Sequence, residues 1–252
     1  MTGMRILLLN ANTSGDMTTR LLAAARRTAS PETELVGATG RFGGAYIGTR
    51  ATYAIGAHAA LDAYAECTVP CDAVLLACFG DPGLAALREL ASVPVVGMAE
   101  ASCMTASRRV GRFSIVTGGL PWVAMLSEYV ANIGLADRLA SIRAVPMTGA
   151  VIAADPDAHI RELTQSCIAA VRDDGAEAVI LGGAGLAGFA DRIADRVPAP
   201  LIDSLAAAIE ATEAAARNHS GSVALPAGAG DGAPTTGLGS QLARLMSGRS
   251  SD

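Results

Sequence analysis

The chain has 252 residues, of which 51% are hydrophobic and only 4% aromatic, and its formal net charge at pH 7 is −5. This length allows one large domain or two lobes of about 100 residues each. The acidic balance offers no basic surface for nucleic acid, and the apolar runs are only as long as strands, so we expect neither a nucleic-acid partner nor a membrane partner.

In the first half, strand patterns alternate with helical patterns. Strands are predicted at 4–9, 35–38, 72–77 and 93–97, and helices at 15–29, 50–66 and from Pro82 to about 91. The segment 41–48 is a glycine-rich loop with neither period. This alternation is typical of a parallel sheet covered by helices on both faces.

The second half repeats the scheme. Strands are predicted at 112–116, 141–145, 177–181 and 201–203, and helices at 99–109, after Pro121, at 157–173, at 204–217 and at 240–247. Residues 220–239 are rich in Gly, Ala, Ser and Pro, which favours a mobile tail or a covering loop.

One phrase occurs in both halves, at an offset of 105 residues. Asp72-Ala-Val-Leu-Leu-Ala-Cys78-Phe-Gly80 aligns with Glu177-Ala-Val-Ile-Leu-Gly-Gly183-Ala-Gly185. The repeat predicts an α/β fold of two similar α/β/α lobes with parallel sheets, lobe 1 comprising 1–98 plus about 205–252 and lobe 2 comprising 99–204. We expect the active site at the carboxyl ends of the strands, where sites in such sheets lie.

Cysteine usage points away from disulfides and metals. The count of five is odd, and the apolar run at 4–9 is too short for a signal-peptide core, so a cytoplasmic protein without a disulfide framework is expected. Cys67 and Cys71 have no second pair and no nearby His, so we predict no metal site. Cys167 lies at helical spacing among apolar residues and is expected to pack in the core.

Cys78 is the candidate reactive group. It directly follows a strand and precedes a helix, where amide groups and the helix dipole favour an anion, so we expect a lowered thiol pKa and a role as base or nucleophile. Packing under the turn is the alternative. Asp81 is interpreted as a cap of the helix that follows, a partner of the substrate, or both. No His is placed beside Cys78, so a Cys-His hydrolase is not supported.

Two glycine-rich patterns bear on cofactor binding. Gly183-Ala-Gly185-Leu-Ala-Gly188 fits the dinucleotide pattern G-x-G-x-x-G, but the acidic residue about 20 positions on, Asp203, falls on the wrong element. The phosphate-loop pattern G-x-x-x-x-G-K-[ST] is absent. We therefore predict no cofactor.

Several segments together resemble the aspartate/glutamate/hydantoin racemase superfamily, and most closely its hydantoin racemase branch. They are 5–14, 77–84, 95–101, 113–117 and 181–187. The resemblance implies two lobes with the active site between them, and cofactor-independent proton transfer at a carbon beside a carbonyl of a small molecule. It also implies two thiols that flank this carbon; Cys78 matches the first, and Gly183 stands where the second belongs.

The same resemblance implies the rest of the site. Oxygen atoms of the substrate are expected to be held by the side chains of Asn10, Thr13 and Thr117 and by the amides of Phe79 and Gly80. Tyr46 and Ile47 are expected to line the pocket for the substrate's side chain. Asp81, Gly118 and Ala184, at the strand ends, complete the predicted substrate-binding set.

Three functions remain open at this point. The first is a racemase or epimerase of a hydantoin or a related cyclic amide that uses Cys78. The second is a one-thiol decarboxylase or lyase that acts on a 2-substituted carboxylate, like the arylmalonate decarboxylases of the superfamily, whose surviving thiol is in the other half. The third is a weakened homologue that only binds a ligand. Ala-rich helices and low charge favour a homo-oligomer.

Overall fold

The computed structural model describes residues 3–219 and 235–247, so most of the predicted tail at 220–239 lies outside the described residues. The strands are β1 (Arg5–Asn10), β2 (Glu34–Thr39), β3 (Ala73–Leu76), β4 (Val95–Gly97), β5 (Phe113–Gly118), β6 (Leu139–Val145), β7 (Ala178–Gly182) and β8 (Leu201–Asp203). The α-helices are α1 (Gly15–Thr28), α2 (Arg50–Glu66), α3 (Leu84–Leu90), α4 (Met98–Arg109), α5 (Trp122–Asn132), α6 (Gly149–Ala154), α7 (Pro156–Arg172), α8 (Ala190–Ile193), α9 (Ser204–Asn218) and α10 (Ser240–Met246).

The strands form two parallel four-stranded sheets with the same internal order. The first sheet runs β2-β1-β3-β4 and the second β6-β5-β7-β8, so each strand of the second has its counterpart four strands earlier. Every pairing is parallel. The predicted fold class of two α/β lobes is confirmed, and the repeated phrase supplies the third strand of each sheet.

The acidic residues that open the two phrases do the same structural work. The Asp72 carboxylate accepts a hydrogen bond of 2.7 Å from the amide of Arg5, at the start of β1. The Glu177 carboxylate accepts one of 2.8 Å from the amide of Gly111, just before β5. The two hydrogen bonds therefore tie β3 to β1 and β7 to β5, which explains why an acidic residue stands at both positions.

Burial explains the apolar composition. β3 and β7 are buried along their whole length, as expected for central parallel strands covered on both faces. Cys167 is fully buried on α7, which confirms its packing role. No helix among the described residues combines the length and apolar character needed to cross a membrane.

Helices α4 and α9 connect the two halves. They pack against each other, and α9 also packs against β3, β4 and α1 of the first sheet. This packing is compatible with assigning the chain after about 205 to lobe 1, and the lobe boundaries stay a prediction.

Helix α6 was not predicted. It has only six residues, with the Thr148 side chain accepting a hydrogen bond from the amide of Val151 at its start. A segment of six residues is too short to be stable as a helix on its own, so its sequence carries little helix signal. Its position matters, because its first two residues line the cavity described next.

Candidate active site

One cavity lies where strands of both sheets end. Its empty volume is about 480 Å³, counting the space open to solvent. The predicted site residues that line it are Tyr46, Ile47, Cys78, Phe79, Thr117, Gly118, Gly183 and Ala184. The turns after β3, β5 and β7 therefore meet at one place, as expected for the carboxyl ends of parallel strands.

The Cys78 thiol belongs to this cavity but is only 8% exposed. Burial, and then the negative charge of Asp81, raise its pKa to about 12. The expectation of a lowered pKa was wrong. That expectation assumed that a helix begins at the thiol, but α3 begins only at Leu84, after an intervening turn, and burial dominates. Cys78 is a protonated thiol at neutral pH.

Asp81 lies outside the cavity lining, although it directly follows the Cys78 turn. Its backbone has φ of +53°, in the left-handed region, and its side chain is 2% exposed. The carboxylate accepts hydrogen bonds from the amides of Ala99 (2.9 Å) and Glu100 (2.8 Å) and from the Tyr129 hydroxyl. Asp81 thus caps α4, which begins 17 residues later, instead of the helix that follows it. Burial raises its pKa to about 6.

Gly183 differs from Cys78 in backbone as well as in side chain. Its φ is +137° and its ψ is 142°, a conformation that side chains with a Cβ rarely adopt. A Cβ placed there would lie 3.3 Å from Leu186 Cδ1 and 3.8 Å from Thr117 Oγ1. A side chain there would require the Leu186 side chain to shift by a few tenths of an ångström, and the backbone conformation itself favours glycine.

Cys78 is the single thiol among the described residues that line the cavity. Cys103 and Cys167 are buried in α4 and α7. Cys67 and Cys71 line a separate surface pocket at the opposite end of β3. Within residues 3–219 and 235–247, no three His, Cys, Asp or Glu side chains lie together as a metal site would require.

Comparison with known proteins extends these observations. A family model described as Asp/Glu/Hydantoin racemase matches residues 6–212. The chain belongs to this family. It is 36% identical over 212 residues to hydantoin racemase of Pseudomonas sp. (strain NS671), covering 83% of this chain and 85% of that protein. It is 39% identical over 215 residues to hydantoin racemase of Paenarthrobacter aurescens, covering 83% and 90%.

A solved structure agrees. The crystal structure of allantoin racemase from Pseudomonas fluorescens matches with a TM-score of 0.82 at 34% identity, covering 85% of this chain and 91% of that one. The predicted family is therefore confirmed, and the protein is an isomerase of the racemase type.

At the end of β1 and in the loop after it, one asparagine is structural and another lines the cavity. Asn10 is fully buried, and its amide nitrogen donates to Asn12 Oδ1 at 2.9 Å and to Thr18 Oγ1 at 3.0 Å. Asn12, which was not among the predicted site residues, lines the cavity. Thr13 does not; its amide donates to Gly44 O at 3.1 Å and so fixes the neighbouring loop. Asn10 and Thr13 shape the loop that presents Asn12.

Gly80 also lies behind the cavity wall. Its carbonyl accepts a 2.7 Å hydrogen bond from the Tyr53 hydroxyl, and a Cβ at this residue would lie 2.7 Å from Trp122 Cζ3. It lines a neighbouring pocket on the far side of Trp122 instead.

Trp122 is the most informative residue that sequence reasoning missed. It lines the cavity, and its indole N–H donates to Ile47 O at 3.2 Å. A signal was present, since the only Trp in the chain stands just after a strand end of the predicted cleft. The remaining lining residues that were not predicted are small or aliphatic: Met17, Gly149, Ala150, Gly185 and Leu186.

Proposed function

We propose that this racemase inverts a carbon beside a carbonyl of a hydantoin or a related cyclic amide, without a cofactor, and that Cys78 transfers the proton on one face. The observation that carries this proposal is the position of the Cys78 thiol, in a cavity at the strand ends of both sheets. The hydantoin and allantoin racemases among its relatives support the substrate class, since allantoin itself carries a hydantoin ring.

The chemistry of such a ring suits the cavity. Removal of the α proton places negative charge on the neighbouring carbonyl oxygen, and this enolate needs hydrogen-bond donors. Four donors belong to residues that line the cavity: the side-chain amide of Asn12, the Thr117 hydroxyl, and the backbone amides of Phe79 and Ala184. We assign the stabilisation of the enolate to these groups.

The protonation state of Cys78 determines the pH dependence. Only the thiolate can remove a proton, and burial holds the pKa of the thiol at about 12. The thiolate fraction therefore rises about tenfold for each pH unit below that value. We expect proton abstraction to accelerate steadily between pH 7 and pH 10.

Hydrogen exchange tests this proposal. Enantiomers of 5-substituted hydantoins and of allantoin are incubated in D₂O, and loss of the α-proton signal is followed by NMR against an enzyme-free reaction. We expect Cys78→Ala to lower exchange by about 10³-fold, within the range for removal of a general base. Cys67→Ser, at a half-exposed cysteine outside the cavity, is the matched control and should exchange at the rate of the unaltered protein. Full exchange in Cys78→Ala would contradict the assignment.

A one-thiol lyase is the second candidate, because the turn at Gly183 offers no proton donor of its own. Such an enzyme would protonate one face of the enolate left after loss of carbon dioxide. Release of carbon dioxide from 2-aryl-2-methylmalonate, with no exchange on any hydantoin, would replace the racemase assignment by this one. Tight hydantoin binding with neither reaction would indicate a ligand-binding homologue.

A further inference from the structure

Inversion needs a proton donor on each face of the carbon. Cys78 serves one face in the proposed reaction, and Gly183 leaves the turn on the lobe 2 side without a titratable group. The other cavity-lining side chains that carry a dissociable O–H are Tyr46 and Thr117. Tyr46 and Thr117 are therefore the two candidates for the second proton donor.

Tyr46 crosses the cleft. It belongs to the glycine-rich loop before α2, but its hydroxyl donates to Gly118 O, in β5 of the second sheet, at 3.4 Å. Gly118 follows Thr117, whose Oγ1 lies 3.8 Å from the point that a Cβ on Gly183 would occupy. The phenol therefore ends on the wall that lacks the thiol. At 3.4 Å its hydrogen bond is long, so the proton is only weakly committed.

The ring is closely surrounded on two sides. A Cβ on Gly48 would lie 2.4 Å from Tyr46 Cε1, and a Cβ on Gly119 would lie 2.7 Å from the phenol oxygen. Glycine at both positions lets the backbone approach the ring. The hydroxyl is thereby held at the cavity by its surroundings as well as by its hydrogen bond.

We propose that Tyr46 is the second acid–base residue, taking the place of the thiol that Gly183 lacks; this inference rests on the proposed racemisation. In one direction the Cys78 thiolate removes the α proton, so a C–H bond breaks and an S–H bond forms. The electron pair becomes that of the enolate. The Tyr46 phenol then protonates the opposite face, so its O–H bond breaks, a C–H bond forms and the phenolate keeps the pair. Thiol and phenolate together are the state that converts the other enantiomer.

The electrostatics of the cavity favour this sharing of one charge. Burial raises the pKa of Tyr46, and a charge on Cys78 raises it further, so thiolate and phenolate disfavour each other. The Trp122 indole and the Gly149 backbone act in the opposite sense and lower the pKa of Tyr46.

Thr117 is the weaker choice for this proton transfer. An aliphatic hydroxyl is far less acidic than a phenol, whose ordinary pKa is about 10, and Tyr belongs to the side chains that serve as general acids. The Thr117 hydroxyl suits hydrogen bonding to the substrate oxygen instead.

The test separates exchange from inversion. Each enantiomer of a 5-substituted hydantoin is incubated in D₂O with Tyr46→Phe, and exchange is read by NMR and inversion by circular dichroism. We expect inversion to fall at least 100-fold and exchange less than about tenfold, with exchange confined to the enantiomer whose proton faces Cys78. Tyr64→Phe, at a tyrosine that lines the distant pocket of Cys67 and Cys71, is the matched control and should change neither rate more than twofold.

Other outcomes overturn the inference. Equal loss of exchange and inversion in Tyr46→Phe would make Tyr46 a substrate-binding residue, and loss of neither would remove it from the reaction. A split between exchange and inversion in Thr117→Val, but not in Tyr46→Phe, would transfer the role to Thr117. Absence of exchange in the unaltered protein would contradict the racemase proposal itself, which is a different result. Gly48→Ala should reproduce a milder split, because its methyl group displaces the Tyr46 ring.

Discussion

The turns after β3 and β7 arise from the same repeated phrase, yet they differ in conformation as well as in residue type. Cys78 ends the first phrase and Gly183 occupies the equivalent place in the second, with φ of +137°. Among described residues other than glycine, Asp81 alone has positive φ, so the backbone at Cys78 does not share that of Gly183. The second turn has thus diverged in its backbone, which a simple loss of a sulfur atom would not require.

Helices α4 and α9, which connect the two halves, differ in how their N-termini are capped. The N-terminus of α9 is capped by Asp203, the residue directly before it, whereas α4 is capped by Asp81 from the Cys78 turn. Gly97 ends β4 as Asp203 ends β8, directly before the helix, and a Cβ on Gly97 would lie 2.3 Å from Asp81 Oδ2. The cap of α4 therefore also fixes the turn that carries the Cys78 thiol.

The largest loss of stability is expected for Gly185→Ala, in the turn after β7. A Cβ at Gly185 would lie 1.9 Å from the Gly149 carbonyl oxygen, which belongs to backbone and cannot swing away. Such overpacking costs up to about 3 kcal/mol and occasionally more, and we expect the upper end in urea unfolding. Gly15→Ala, where nothing lies within 4 Å, is the control and should be neutral or stabilising. A loss below about 1 kcal/mol for Gly185→Ala would mean that the turn can move away from α6.

The next largest effect is expected from removing the two capping residues, Asp81 and Asp203, one at a time. Each of Asp81 and Asp203 accepts three hydrogen bonds, but Asp81 is 2% exposed while Asp203 is half-buried, so water can replace the lost acceptor only at Asp203. Alanine also tolerates the left-handed backbone of residue 81 less well than aspartate does. We expect Asp81→Ala to cost about 2 to 3 kcal/mol and Asp203→Ala about 1 kcal/mol in free energy of unfolding.

The same pair also probes the thiol. Asp81 raises the pKa of Cys78, so its removal should let Cys78 react with iodoacetamide at lower pH, as measured by mass spectrometry of the labelled peptide. Asp203→Ala should leave this labelling profile unchanged. An equal shift in both variants would point to general loosening of the fold instead of the charge of Asp81.

The sequence was sufficient for features that depend on regular spacing. The period of the apolar residues and the repeated phrase predict both sheets, because buried parallel strands and their covering helices have characteristic patterns. The convergence of Cys78, Thr117 and Gly183 on one cavity follows from the same logic, since all three end parallel strands.

Features that depend on distant partners could not be read in this way. Asp81 followed by Pro82 is typical of a helix start, but its hydrogen-bond partners lie on α4 and α5. The thiol pKa of Cys78 was mispredicted for a similar reason, because burial and the charge of Asp81 outweigh a helix that begins too late. The conformation of Gly183 has no sequence signal at all, since glycine adopts positive and negative φ with similar ease.

The variant Gly183→Cys places a thiol in the turn after β7. The conformation at residue 183 makes any side chain strained, so we expect Gly183→Cys and its control Gly183→Ala to lose a similar, small stability of about 1 to 2 kcal/mol in urea unfolding. Only the cysteine variant gains a proton donor. Its rate of hydantoin inversion should therefore exceed that of Gly183→Ala.

The decisive experiment adds each Gly183 substitution to the Tyr46→Phe variant. If the phenol serves the second face, a thiol on residue 183 can replace it, and Gly183→Cys should restore inversion in Tyr46→Phe while Gly183→Ala should not. Failure to restore it, with both variants equally folded by circular dichroism, would mean that the strained backbone points the new thiol away from the substrate. In that case the second turn has lost more than its sulfur, and the glycine conformation at residue 183 would itself prevent a two-thiol mechanism.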